Sequence, residues 1–190
     1  MLTIRLHFRA DDPLAEVGKI LAKALLESAR PVQYFDSFGT PRPGQPTWSV
    51  LRVGRKKILG PAGDSTSTWY LRERATNSVL ADVAVFLDPS LFDFVDPKSG
   101  LREGASLFHP GRTPPPGLSS GDEAIKPVPL FLPDQTGRVR SQVVAAYLAL
   151  ALGLLSEEEI AQRFEAPAPG EQLEDFRRAL AEAAAAGRAD

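Results

Sequence analysis

Residues Leu2 to Ala29 constrain the fold more than any other stretch. Leu2, Ile4, Leu6 and Phe8 alternate with Thr3, Arg5 and His7. A period of two predicts a strand with one buried face. Arg9-Ala10-Asp11-Asp12-Pro13 breaks the alternation. Leu14, Val17, Leu21, Ala24, Leu25 and Ser28 then recur at helical spacing, and Ile20 widens the apolar stripe. Asp12 stands where an N-cap belongs, and Pro13 suits a first helical residue.

A strand feeding a helix through a short turn opens many nucleotide-binding α/β domains. There glycines let backbone N–H groups approach a phosphate at the helix start. This turn holds no glycine, but two aspartates and a proline. The Asp12 carboxylate would occupy the free N–H groups, and Asp11 would repel an anion. The layout is that of an anion site; the residues predict an ordinary capped helix.

Val32 to Phe35 reads as a second strand, and Asp36 to Pro46, with three prolines and two glycines, as a stiff exposed loop. That loop is either a binding surface or a plain crossover. Thr47 to Val53 is apolar on both faces and reads as an interior strand. Gly54 to Lys57 would turn it, with Ile58-Leu59 pairing back, and the basic triplet Arg55-Lys56-Lys57 suits a solvated hairpin tip. Gly60 to Thr68 is loop-like; Trp69-Tyr70-Leu71 fits a short strand or a helix start equally.

Ala81 to Leu87 is a nearly continuous apolar run, as expected of a central strand covered on both faces. Asp88 ends it, where open α/β sheets bind ligands, but Asp88-Pro89 also starts turns, and the turn reading is preferred. Leu91 to Val95 fits one helical turn and Gly104 to Phe108 a weak strand. Residues 110 to 121 form a proline-rich loop with no apolar face, expected to be mobile or extended. Pro127 to Leu132 reads as an edge strand.

Val139 to Leu152 is the most apolar helix, and its wide stripe favours a core position over a partner interface. Ser156-Glu157-Glu158-Glu159 is a capping-box pattern for a further helix carrying Ile160 and Phe164. Ala166 to Gly170 separates it from a last helix with Leu173, Phe176 and Leu180. Together these elements predict an α/β fold of three layers, with a mostly parallel or mixed sheet and helices on both faces. The expected organisation is one domain over 1–190, its C-terminal helices running from about 137 to 187.

Composition narrows function. The net charge of −2 gives no cause for non-specific nucleic-acid binding. No apolar run reaches the roughly 18 residues of a membrane span, and Arg5, His7 and Arg9 interrupt any leader-like pattern, so a cytoplasmic location is expected. The chain has no cysteine, which excludes a cysteine nucleophile and thiolate-bound iron–sulfur clusters on it. His7 and His109 are the only histidines, in no zinc-ligand spacing. No Walker loop, nucleophile elbow or histidine-based triad is present.

Four stretches, in order, resemble the γ subunit or γ-type catalytic domain of the 2-oxoacid:ferredoxin oxidoreductases, the family of the pyruvate, 2-ketoisovalerate and indolepyruvate enzymes. Ile4-Arg5-Leu6-His7 resembles its first strand, which there precedes a Gly-x-Gly-Gly-Gln-Gly loop. Gln33 to Gly44 (QYFDSFGTPRPG) resembles its Q-x-F-x-S-F-G-x-E-R-R-G segment. Ala81 to Leu91 is similar to its central strand and turn, and Ala149 to Ser156 to its late helix and cap. In the first loop only Arg9 matches; Phe8, Ala10, Asp11, Asp12 and Pro13 replace the glycines and glutamine. In the second, Gly39, Arg42 and Gly44 match, while Pro41 and Pro43 replace charged residues.

The resemblance implies a divergent γ-type subunit that is not catalytic alone and helps complete the oxidative decarboxylation of a 2-oxoacid to an acyl-CoA. Thiamine diphosphate, Mg²⁺, iron–sulfur clusters and coenzyme A are implied in the complex, with no cofactor held on this chain by itself. The implied partners are thiamine-binding and ferredoxin-like subunits; a homo-oligomer is a further arrangement. Arg9, Phe38, Gly39, Arg42 and Gly44 are the candidate residues facing the cofactor region or a partner: arginines meet anionic groups, and glycines allow close backbone approach. No catalytic or metal-ligating residue is assigned. The alternative is a non-catalytic scaffold or interaction module with a degenerate glycine loop. A stand-alone enzyme or nucleotide-binding protein is disfavoured by that same loop.

Overall fold

A computed structural model describes residues 1–36, 42–54, 80–111, 113–115, 117–118, 124–130, 132, 137–165, 174, 177–178 and 180–181. The opening strand is β1 (Leu2–Arg9). It joins β2 (Val32–Asp36), β3 (Pro46–Val53), β4 (Ala81–Phe86), β5 (Leu101–Pro110) and β6 (Ile125–Leu130). The described strands form one sheet in the order β2-β3-β1-β4-β5-β6. β3 is antiparallel to β1 and β2; β1, β4, β5 and β6 run parallel to one another, so the sheet is mixed. Parallel neighbours need crossovers. The parallel pairing of β1 with β4 brings their C-terminal ends to the same end of the sheet.

On one face Ile4, Leu6 and Phe8 of β1, Leu51 and Val53 of β3, and Val83 and Val85 of β4 share a core with α1 (Val17–Glu27) and α2 (Gly137–Ala151). The middle of α2 is buried on every side: Val143 through Ala149 are all buried. The helix read as too apolar to face water is therefore core. α3 (Glu157–Ile160) and the π-turn after it (Ala161–Glu165) add Ile160 and Phe164 to that core. The capping box forms as read, Ser156 Oγ accepting from Glu159 N at 3.2 Å and Glu159 Oε2 from Ser156 N at 2.9 Å. Each such fully buried apolar side chain contributes roughly 1.5–3 kcal/mol. The buried Ser141 donates its hydroxyl to Pro13 O at 2.8 Å, pinning α2 to the turn after β1.

The second face corrects the reading of β1. Thr3 and His7, expected on a solvent side, are buried. β1 is interior to the sheet, and its second face is covered. The His7 ring stacks on Phe86 at 4.5 Å, and Phe86 on Phe92 at 4.5 Å. The Arg5 guanidinium lies 5.7 Å above the Trp48 ring. Ala84, Phe86, Leu91, Leu107, Leu118 and Ile125 form the second cluster, and a 3-10 turn (Pro89–Asp93) carries Leu91 into it.

Two further expectations change. The loop at 110–121 does have an apolar contact, since Leu118 is buried against this second face. β5 runs over Leu101–Pro110 instead of five residues, because it is paired on both sides, by β4 and β6. β6 lies at the sheet edge as read, and Pro127 and Pro129 remove N–H donors that a further strand would use. The expected hairpin at 55–59, the segment 60–71, and Leu173 and Phe176 of the last helix lie outside the described residues. Leu180 is helical and packs on the larger core.

Candidate functional site

β1 and β4 run parallel with His7 beside Phe86, so their ends place Arg9 next to Asp88. Arg9 Nε donates to Asp88 Oδ2 at 3.1 Å and to Ser90 Oγ at 3.0 Å. Its Nη2 reaches Ser90 Oγ at 2.6 Å, and its Nη1 reaches Gly44 O at 2.7 Å. The same guanidinium lies 5.4 Å above the ring of Phe94, which is 67% exposed.

Asp88 serves as the turn residue. Its Oδ1 accepts from Ser90 N at 2.8 Å and from Ser90 Oγ at 2.6 Å, capping the Pro89–Asp93 turn. Burial raises the Asp88 carboxyl, but the Ser90 bonds and the Arg9 charge outweigh burial and hold it below its ordinary value. A carboxylate so stabilised is a poor base, and the Ser90 hydroxyl is already held by Asp88 and Arg9. The pair is thus a structural node, not a nucleophile with its base.

The second loop docks on the first. Ala10 N donates to Gln45 O at 2.9 Å, and Gly44 N to Ala10 O at 3.0 Å. Gly44 takes φ +73°, a left-handed conformation that glycine adopts at little cost. Arg42 is exposed in the same turn, where its N–H donates to Gln45 Oε1 at 3.2 Å. The structure therefore brings Arg9 and Gly44 into contact and leaves Arg42 beside them at the surface. Phe38 and Gly39 lie outside the described residues.

The turn after β1 does not fit a phosphate. Asp12 Oδ1 accepts from Leu14 N at 2.7 Å, Asp12 O accepts from Ala15 N at 2.9 Å, and Pro13 has no N–H. Asp11 holds φ 72°, the left-handed geometry of a glycine loop, but with a carboxylate. Thiolate-held clusters have no cysteine on this chain. Among the described residues no group of His, Asp and Glu could hold a metal ion.

Burial favours the neutral form of both histidines. Burial, then the nearby Arg5 charge, pushes His7 down to about 3. Burial also lowers His109. The Tyr34 hydroxyl donates to Asp36 Oδ1 at 2.6 Å at the end of β2, and burial leads the effects that raise it. Ser90 and Phe94 escaped the sequence reading. The Asp-x-Ser spacing was visible, but the register that brings it to Arg9 was not.

No family model matches the chain. The chain is 33% identical over 108 residues to the pyruvate/ketoisovalerate oxidoreductases common subunit gamma of Thermococcus litoralis, a match covering 57% of this chain and 51% of that protein. Here the chain spans about half the length of the relative. The subunit of the same name from Pyrococcus furiosus is 28% identical over 192 residues, covering 96% of this chain and 95% of its own length. The chain is similar to these γ subunits, in one case along nearly its whole length. The pyruvate oxidoreductase subunit PORC of Thermotoga maritima has the same fold as this chain, with a TM-score of 0.65, 21% identity, and coverage of 96% of this chain and 94% of that one. No described helix of the chain is long and apolar enough to cross a membrane.

Proposed function

We propose that this chain is a γ-type subunit of a 2-oxoacid:ferredoxin (acceptor) oxidoreductase, acting only with partner subunits. The complex would convert a 2-oxoacid and coenzyme A to an acyl-CoA and CO₂, passing two electrons to the acceptor. The observation that carries this reading is the match to the Pyrococcus subunit along nearly the whole of both chains. Thiamine diphosphate, Mg²⁺ and the clusters belong on thiamine-binding and ferredoxin-like partners; the absence of cysteine here fits that division. The chain acts as one domain in the cytoplasm. It completes the wall of the active site and supports assembly, with the loop edge of Arg42, Gly44, Phe38 and Gly39 turned to the cofactor region or a partner. The turn at Asp11–Pro13 favours the second reading, a scaffold of the same descent without cofactor contact.

The test is a pull-down of the tagged chain from its native cells, with the eluate assayed for 2-oxoacid-dependent reduction of methyl viologen. Thiamine-binding and iron–sulfur partners with activity support the subunit reading. Elution alone, or with unrelated partners and no activity, sinks it.

A further inference from the structure

The sequence offers Arg9 as a cation for an arriving anion, because it is the one residue of the first loop that matches the glycine-loop pattern. The structure gives that guanidinium other work. Three of its nitrogens are engaged in four hydrogen bonds, to Asp88, Ser90 and the carbonyl of Gly44. Its charge is matched by Asp88 at 3.1 Å, with about a quarter of each side chain exposed. Its flat face covers Phe94. Two backbone donors of the adjoining turn are spoken for as well, Leu14 N by Asp12 and Ala10 N by Gln45 O. A phosphate entering here would compete with the Asp88 carboxylate for Arg9 and with the Asp12 carboxylate for Leu14 N.

We infer that Arg9 is a positioning residue that clamps the Arg42–Gln45 turn to the Asp88–Ser90 turn, and that the end of β1 is thereby closed to phosphate-bearing ligands. The clamp joins three segments far apart in sequence: the end of β1, the turn before β3 and the turn after β4. Guanidinium suits this better than ammonium, since its planar fork holds several acceptors in fixed directions. What the clamp positions is the turn that bears Arg42, so Arg42, not Arg9, is the arginine this edge presents to an anionic group. This inference stands on the geometry whether or not the chain enters an oxidoreductase complex.

The experiment uses the full chain alone, so its outcome is separate from that of the pull-down. Pyrophosphate and coenzyme A are titrated in turn while the Arg9 Nε–H resonance is followed by NMR. The clamp predicts no saturable shift with either probe. It also predicts that Arg9→Gln speeds hydrogen exchange at the Ala10 and Gly44 amides by about tenfold or more, the effect of losing charge-assisted hydrogen bonds. Arg9→Lys keeps a charge for Asp88 but cannot reach Ser90 and Gly44 at once, so it restores protection only in part. Ser90→Ala removes two of the four bonds while sparing both cores, and should loosen the same amides should Arg9→Gln fail to fold. A saturable Arg9 shift that Arg9→Gln abolishes would overturn the closure. Unchanged exchange at Ala10 and Gly44 in Arg9→Gln or Ser90→Ala would overturn the clamp.

Discussion

Lowering the pH from 6.5 to 4.5 should destabilise this protein through His7 before its carboxylates titrate. His7 is 6% exposed and stacked on Phe86. Its ordinary value of 6.5 falls to about 3 in the fold, chiefly by burial. Between these values the unfolded chain holds a proton at His7 that the folded chain refuses. Stability is therefore full above 6.5 and lost as pH falls towards 3. Two pH units at about 1.36 kcal/mol each give about 2.7 kcal/mol at pH 4.5 from this one residue. Such a loss is a large part of the roughly 5–15 kcal/mol that holds a domain folded. The assay is urea unfolding at several pH values for the natural protein and for His7→Phe, which keeps a ring on Phe86. The variant should lose less stability between pH 6.5 and 4.5, by about 2–3 kcal/mol. The remaining slope belongs to groups such as His109, also lowered by burial. Equal slopes for the two proteins would refute the reasoning.

Gly18→Ala should destabilise the chain although alanine is the better helix former. A Cβ there would lie 2.7 Å from Tyr34 Cε2 and 3.2 Å from Ser49 Oγ. Overpacking costs about 1–3 kcal/mol against roughly 0.5–1 kcal/mol of propensity gained, so the urea midpoint should fall. Asp12→Ala should cost about 1 kcal/mol by removing the bond from Leu14 N, read as a lower melting temperature with the fold retained. Phe164→Ala should cost about 3–5 kcal/mol, since the ring is 1% exposed in the larger core, and this is checked by the same denaturation.

The local features of the chain were legible in its sequence. The Asp12 cap, which holds the 3-10 turn Pro13–Glu16 leading into α1 and not α1 itself, the box at Ser156 and the preference for Asp88 as a turn residue each rest on chemistry a few residues long. The burial of α2 was legible because apolar residues surround it. The second face of β1 was not. Thr3, Arg5 and His7 look solvent-facing, yet Phe86, itself stacked on Phe92, covers His7, and Trp48 lies under Arg5. That cover comes from strands and turns tens of residues away, and a polar side chain that can stack does not announce its burial. Leu118 misled for the opposite reason: one leucine among prolines and serines shows no period, yet it is buried against the second face. For the candidate site, Arg9 and Gly44 were named from the pattern, but their contact depends on how β1, β3 and β4 order in the sheet. The same ordering turned Arg9 inward on Asp88, which no spacing of residues could reveal.

The most direct test of the central claim is size-exclusion chromatography of a native extract, following the chain by antibody and 2-oxoacid-dependent viologen reduction in each fraction. The account predicts that chain and activity peak together at a mass well above a monomer, with a thiamine-binding polypeptide in the same fractions. Activity that elutes free of the chain, with the chain at monomer mass, would contradict it.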